Sequence, residues 1–125
     1  MKTQKYILDA IYPLIPASVG DVYKYTTPDH HDSDKFTVIN TLTVPADPIQ
    51  TVQVNVNCYA KDLNVNRGIP DLPTLDDMVH AVINALHDYN NDVFDMEFQF
   101  MGIIREQALK MHFANLRFRL IFLNN

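Results

Sequence analysis

An α+β fold, in which a single, mainly antiparallel sheet of four to five strands carries two helices, follows from three features of this 125-residue chain. The first is Thr51–Ala60, where Val52, Val54, Val56, Cys58 and Ala60 alternate with Thr51, Gln53, Asn55, Asn57 and Tyr59. Strand side chains alternate sides, so this pattern marks a half-buried strand, and a one-residue slip would send its whole apolar face into water. The second is the stripe Leu75, Met78, Val79, Val82, Ile83, Leu86 and Tyr89, which recurs at helical spacing. The third is a pair of later alternating runs, Val93–Ile104 and His112–Leu123. The resulting order is α-β-β-β-α-β-β, with a mixed sheet left open.

Taken in order, Thr3 to about Tyr12 reads as a short helix with Tyr6, Ile7, Ala10, Ile11 and Leu14 on one stripe, stopped or kinked by Pro13 and Pro16. Val22–Tyr25 reads as a short strand, and Thr26–Lys35 as a polar loop rich in turn formers. Phe36–Val44 is a strand with Phe36, Val38, Leu42 and Val44 on one face and Asn40 as that face's polar exception. Pro45 and Pro48 then form a turn that cannot continue a ladder. Asp62–Pro73 is a connection, and the main helix runs Thr74–Asn90, with Thr74 as N-cap and Asp76 and Asp77 near the positive end of its dipole. Asn90-Asn91-Asp92 ends it. In the next strand Phe94, Met96, Phe98 and Phe100 oppose Asp95, Glu97 and Gln99, and Gly102 marks a bulge or bend. Arg105–Met111 fits either a helical turn or a wide loop. The final strand puts Ala114, Leu116, Phe118, Leu120 and Phe122 on one side and Phe113, Asn115, Arg117, Arg119, Ile121 and Leu123 on the other.

Length and composition are those of a single globular domain, residues 1–125, able to bury a core: 47% of residues are hydrophobic and 20% charged. The lone cysteine, Cys58, excludes an intrachain disulfide. No signal peptide or membrane-length apolar run is read in the sequence, so synthesis in the cytosol is expected, with no membrane partner. A net charge of −5 argues against general nucleic-acid binding. The charge is unevenly placed: Asp71–Glu97 holds seven acids and no Lys or Arg, whereas Arg105–Arg119 holds four bases against Glu106. These are two solvated surfaces, or two complementary patches that meet between subunits.

Catalytic chemistry is not expected. His30-His31-Asp32-Ser33-Asp34 is the one cluster of metal-ligand type, but adjacent polar residues in a loop lack the rigid elements and supporting shell of a metal site. His80 and His87 share a helix face at about 10 Å, too far apart for one ion, and no HExxH motif is present. Cys58 is expected to be buried and inert, and neither Ser18 nor Ser33 lies in a GxSxG elbow. Three glycines cannot make a phosphate-binding loop. No cofactor or metal is therefore expected. The outward face of the last strand stands out: Phe113, Ile121 and Leu123 beside Arg117 and Arg119 suit a partner surface, unless the N-terminal helix covers them.

In the order of its elements, the chain resembles the tail-completion (tail terminator) proteins of long-tailed bacteriophages. The matching stretches are the N-terminal helix leading to Asp21-Val22-Tyr23, the valine strand Val52–Ala60, the acidic-capped helix ending Ala85-Leu86-His87, and the closing strand His112–Arg119. They run through nearly the whole chain and none is catalytic; Arg105–Met111 and the His30 loop depart from the pattern. The resemblance implies a non-enzymatic virion structural protein, made in the host cytoplasm and resident in the tail or neck. Such proteins form a homo-oligomeric ring, typically a hexamer, that caps the tail tube protein and meets the head–neck connector. DNA passes through the channel without specific binding. The alternatives are a neck or head-completion (head–tail connector) protein, and a small metal-binding or hydrolase domain using His30, His31 and Asp32.

A ring needs two different, complementary surfaces on each subunit. The expected pair is Arg117 and Arg119, flanked by Phe113 and Ile121, against Asp88, Asp92 and Asp95 of the adjacent subunit, since arginine's fork suits carboxylates. The competing expectation is that Arg117 and Arg119 are satisfied within their own chain by Asp95 or Glu97.

Overall fold

Two α-helices and five strands follow one another as α1 (Gln4–Ile11), β1 (Asp21–Lys24), β2 (Lys35–Thr41), β3 (Thr51–Lys61), α2 (Leu72–Leu86), β4 (Phe94–Glu106) and β5 (Met111–Phe122). The computed structural model describes residues 2–29, 33–46 and 50–123. The strands form one mixed sheet of order β1-β2-β3-β5-β4, parallel only between β1 and β2. The α+β class read from the sequence is the architecture observed.

β3 is the central strand, and its register explains the core. Val52, Val54, Val56 and Cys58 lie opposite Leu120, Phe118, Leu116 and Ala114 of β5, and all eight are fully buried. The buried residues of α1 (Ile7, Leu8, Ile11) and α2 (Leu75, Met78, Val79, Val82, Leu86) join the same cluster, so both helices cover one face of the sheet. Fully burying each large side chain contributes about 1.5–3 kcal/mol. The N-terminal helix therefore lies away from the outward face of the last strand, which no helix covers. Within α1 it is Leu8, rather than the expected Tyr6, that is buried; Tyr6 sits at the helix edge against Phe122.

Several boundaries differ from the sequence reading. The α2 helix begins at Leu72, because Pro73 sits in the first turn, where its missing N–H leaves no hydrogen bond unmade. Its cap is Asp71, not Thr74: the Asp71 carboxylate accepts from the Thr74 backbone N–H at 3.2 Å and from the Thr74 hydroxyl at 2.7 Å. The helix ends at Leu86, before Asn90, since His87 is extended and Asp88 turns left-handed at φ 59°. Asn91 instead closes a tight turn into β4, its side-chain oxygen accepting from the backbone N–H groups of Val93 and Phe94.

On β2 the face that looked apolar is the open one. Phe36, Val38 and Asn40 pair with Tyr59, Asn57 and Asn55 on the uncovered side, while Thr37 and Ile39 face the helices. Thr37 is tolerated there because its hydroxyl donates to the Val19 carbonyl at 3.1 Å. β2 also stops at Thr41 rather than Val44. The register shift in β4 falls between Phe98 and Phe100, not at Gly102. It turns Phe100 to the open face, away from Phe94, Met96 and Phe98. β4 runs on through Arg105 and Glu106, and Gln107–Leu109 form one 3-10 turn closed by Lys110 at φ 54°. Gly20 is required where it stands: its φ is 81°, and a Cβ there would lie 2.8 Å from the Lys35 carbonyl oxygen.

Candidate interaction surface

The uncovered face of the sheet is ordered by side chains bonding to one another. Asn55, at its centre, donates to the Asn40 side-chain oxygen at 2.9 Å and accepts from Asn115 Nδ2 and Arg117 Nε, both at 3.2 Å. Asn115 Nδ2 also donates to Asn57 at 2.7 Å. Asn55 and Asn57 are only 7% and 9% exposed although no helix lies over them. Towards one end of the face, Phe36, Tyr59 and Phe113 stack at centroid spacings of 4.8 and 4.7 Å, with Tyr23 edge-on to Phe36 at 5.9 Å. Burial in this stack, with Glu106 nearby, pushes the Tyr59 hydroxyl up to about 12.

The two arginines of β5 are engaged within their own chain. Arg119 forms an ion pair with Glu97, its cross-strand neighbour on β4. The Arg117 guanidinium lies over the Phe100 ring, 4.7 Å from its centroid, in addition to its bond to Asn55. For Arg119 the chain thus adopts the competing arrangement named above. Phe113 is part of the aromatic stack, and Ile121 is half-buried opposite Asp95. Asp88, Asp92 and Asp95 are all exposed, at the end of the molecule where α2 stops and β4 starts. Asp88 and Asp95 border a recess with Tyr89, Asn90, Glu97 and Ile121.

No protein-family model matches the chain, and no curated protein matches it. Among solved structures there is a likeness to a chain of a virion. A chain of the "Virion of native gene transfer agent (GTA) particle" matches with a TM-score of 0.58 over 85% of this chain and 82% of that chain, at 15% identity. That likeness is one of fold.

The remaining chemical candidates are placed as follows. His30, His31 and Asp32 lie outside the described residues. Among the described residues, no group of three or more His, Cys, Asp or Glu side chains is arranged to hold a metal ion. His80 and His87 are exposed, each beside an aspartate, at 3.8 Å from Asp76 and 3.3 Å from Asp88. Burial pushes the Cys58 thiol up to about 12, where it is protonated at neutral pH and a poor nucleophile. Among the described residues no helix is long and apolar enough to cross a membrane. Sequence reading missed the buried pair His112–Asp62, joined at 2.7 Å with the Asp62 side chain fully enclosed. The two are fifty residues apart in the chain, and such partners are visible only once the β3–β5 register, which sets His112 beside Ala60, is known.

Proposed function

We propose that this chain is a structural protein of a phage-like particle, of the tail-terminator type, that assembles with copies of itself into a ring, typically of six. The observation that carries this reading is the fold likeness to a virion chain over 85% of the sequence. It is supported by a sheet face that neither α1 nor α2 covers and whose side chains are tied together by hydrogen bonds. Two surfaces serve assembly in this reading. One is the open face carrying Phe113, Arg117, Arg119 and Ile121, which offers side chains already fixed by their own contacts rather than free cations. The other is the acidic end carrying Asp88, Asp92 and Asp95. The partners are then the tail tube protein, the head–neck connector, and DNA passing through the channel without being held. Its place is the tail or neck of the particle, after assembly in the host cytoplasm. Catalysis has no part in it.

Light scattering of the purified chain, followed by electron micrographs with and without tail tubes from the same source, tests the proposal. Rings that cap tubes are expected. A protein that stays monomeric and binds neither tubes nor heads would overturn it, and rings that bind isolated heads but not tubes would favour the neck-protein reading.

A further inference from the structure

The end of the molecule opposite the acidic recess has a distinct surface. Around the last half of β4 and the turn that precedes α2, Met101, Ile103, Ile104, Ile69 and Leu72 are each 40–53% exposed. Met101, Ile103 and Leu72 line a shared groove against α2. β4 is an edge strand, so its outer backbone groups there are unpaired by any neighbouring strand. Exposed apolar side chains on both faces of an unpaired edge mark a surface that another chain covers.

The charges say which chain. Arg105 lies across Gly68 in the turn Asn64–Ile69, and Arg67 sits in the same turn. Both are exposed, and neither has a carboxylate partner among the described residues. At the other end Asp92 and Asp95 are likewise exposed without a cation, and Asp88 has only His87. Arg105 and Asp95 belong to one strand, ten residues apart, which is about 33 Å at ~3.3 Å per residue. They cannot meet within one molecule.

We propose that this apolar end of β4, with Arg67 and Arg105, docks on the acidic recess of a second copy, in a head-to-tail contact. The inference rests on the ring reading above and names the surfaces that would close it. Arg117 and Arg119 are already engaged by Phe100, Asn55 and Glu97, which leaves Arg67 and Arg105 as the free guanidinium groups. Each can bind two carboxylate oxygens side by side. Because the two surfaces differ, each copy keeps one of each available until a ring closes.

Charge reversal decides it. The Arg67→Glu/Arg105→Glu variant and the Asp88→Lys/Asp95→Lys variant are each examined by sedimentation velocity, with circular dichroism to confirm folding. Each alone is expected to lose at least tenfold in self-association. Mixed in equal amounts they are expected to co-assemble, because each reversed surface then meets its complement, in alternating order that closes an even-numbered ring. Wild-type rings with either variant still assembling normally would overturn this contact and leave the ring reading intact. Two folded, monomeric variants that fail to co-assemble would also overturn it. A wild-type protein that is monomeric at all concentrations would overturn both.

Discussion

At the centre of the sheet the two faces are built from opposite materials on the same strands. On β5, Leu116, Phe118 and Leu120 face the helices, while Asn115, Arg117 and Arg119 face away. The covered face is aliphatic and aromatic, and its order comes from close packing under α1 and α2, where a missing methylene is felt. The open face lies away from α1 and α2, and its order comes from directed bonds (the asparagine cluster, a guanidinium on a ring, an ion pair) with a smaller aromatic cluster around Phe36 and Tyr59 at one end. A face that only had to be wetted would not need such constraint. The difference suggests that one face holds the fold and the other holds a shape for something else.

The largest test of that contrast is Val82→Asp. Val82 is fully buried under the sheet, and an unpaired buried charge costs several kcal/mol, comparable with the ~5–15 kcal/mol that holds most domains folded. Loss of soluble, folded protein is expected, read by circular dichroism; wild-type melting would break the contrast at once. Next come two phenylalanines of one strand. Phe118→Ala, in the core, is expected to cost about 3–5 kcal/mol in chemical denaturation. Phe113→Ala, on the open stack, should cost less than half of that, because its ring is only partly buried and water can occupy the gap. Equal losses would mean that the open face is a second core.

Smaller again is Asn55→Ala, expected to cost about 1–2 kcal/mol, since its partners Asn40, Asn115 and Arg117 are half-exposed and can turn to water. Its larger effect should be on assembly, measured by light scattering. The smallest effect belongs to Asp9, beside α1. Hydrogen bonds from the ammonium groups of Lys24 and Lys5 hold its carboxyl below the usual carboxylate range. A depressed folded-state value stabilises above the ordinary carboxylate pKa, and the benefit is lost as pH falls through the folded value. Asp9→Asn should therefore narrow slightly the gap between melting temperatures at neutral and acid pH. The group is exposed, so the change should be barely measurable.

What could be read from the sequence was whatever periodicity encodes. β3, β5 and the buried stripe of α2 were legible because burial on one side leaves a two- or 3.6-residue pattern. Pattern alone could not place Phe36 and Val38, whose apolar alternation is equally that of a core face; they lie on the open side, buried with Tyr59 and Met111, while Thr37 faces the helices with its hydroxyl bonded to Val19. Nor could it find Asp71 as the cap, since Pro73 in a first turn looks like a break. Gln50 is fully buried with no periodic signal at all. Its side chain joins the Lys2 backbone N–H and carbonyl, each at 2.9 Å, to the Pro45 carbonyl at 3.0 Å, a set of contacts that only tertiary structure assembles. The seven acids of Asp71–Glu97 were legible as charge, but which cations answer them depends on which arginines the sheet has already engaged.

The shift between Phe98 and Phe100 makes β4 one residue longer than the stretch it pairs with: thirteen residues of β4 lie along twelve of β5. Gln99 is the supernumerary residue. Beyond it, Phe100, Met101, Gly102 and Ile103 already alternate in step with Arg117, Leu116, Asn115 and Ala114. Removing Gln99 would therefore straighten the edge without moving any later side chain to the other side. The strand is two phrases of alternation spliced with a spare letter, and length at that position is silent for the fold. A chain of this architecture without the residue at position 99 is expected to keep the same pairing on both sides of the gap, so an alignment that forbids the gap would set every residue after it against the wrong partner.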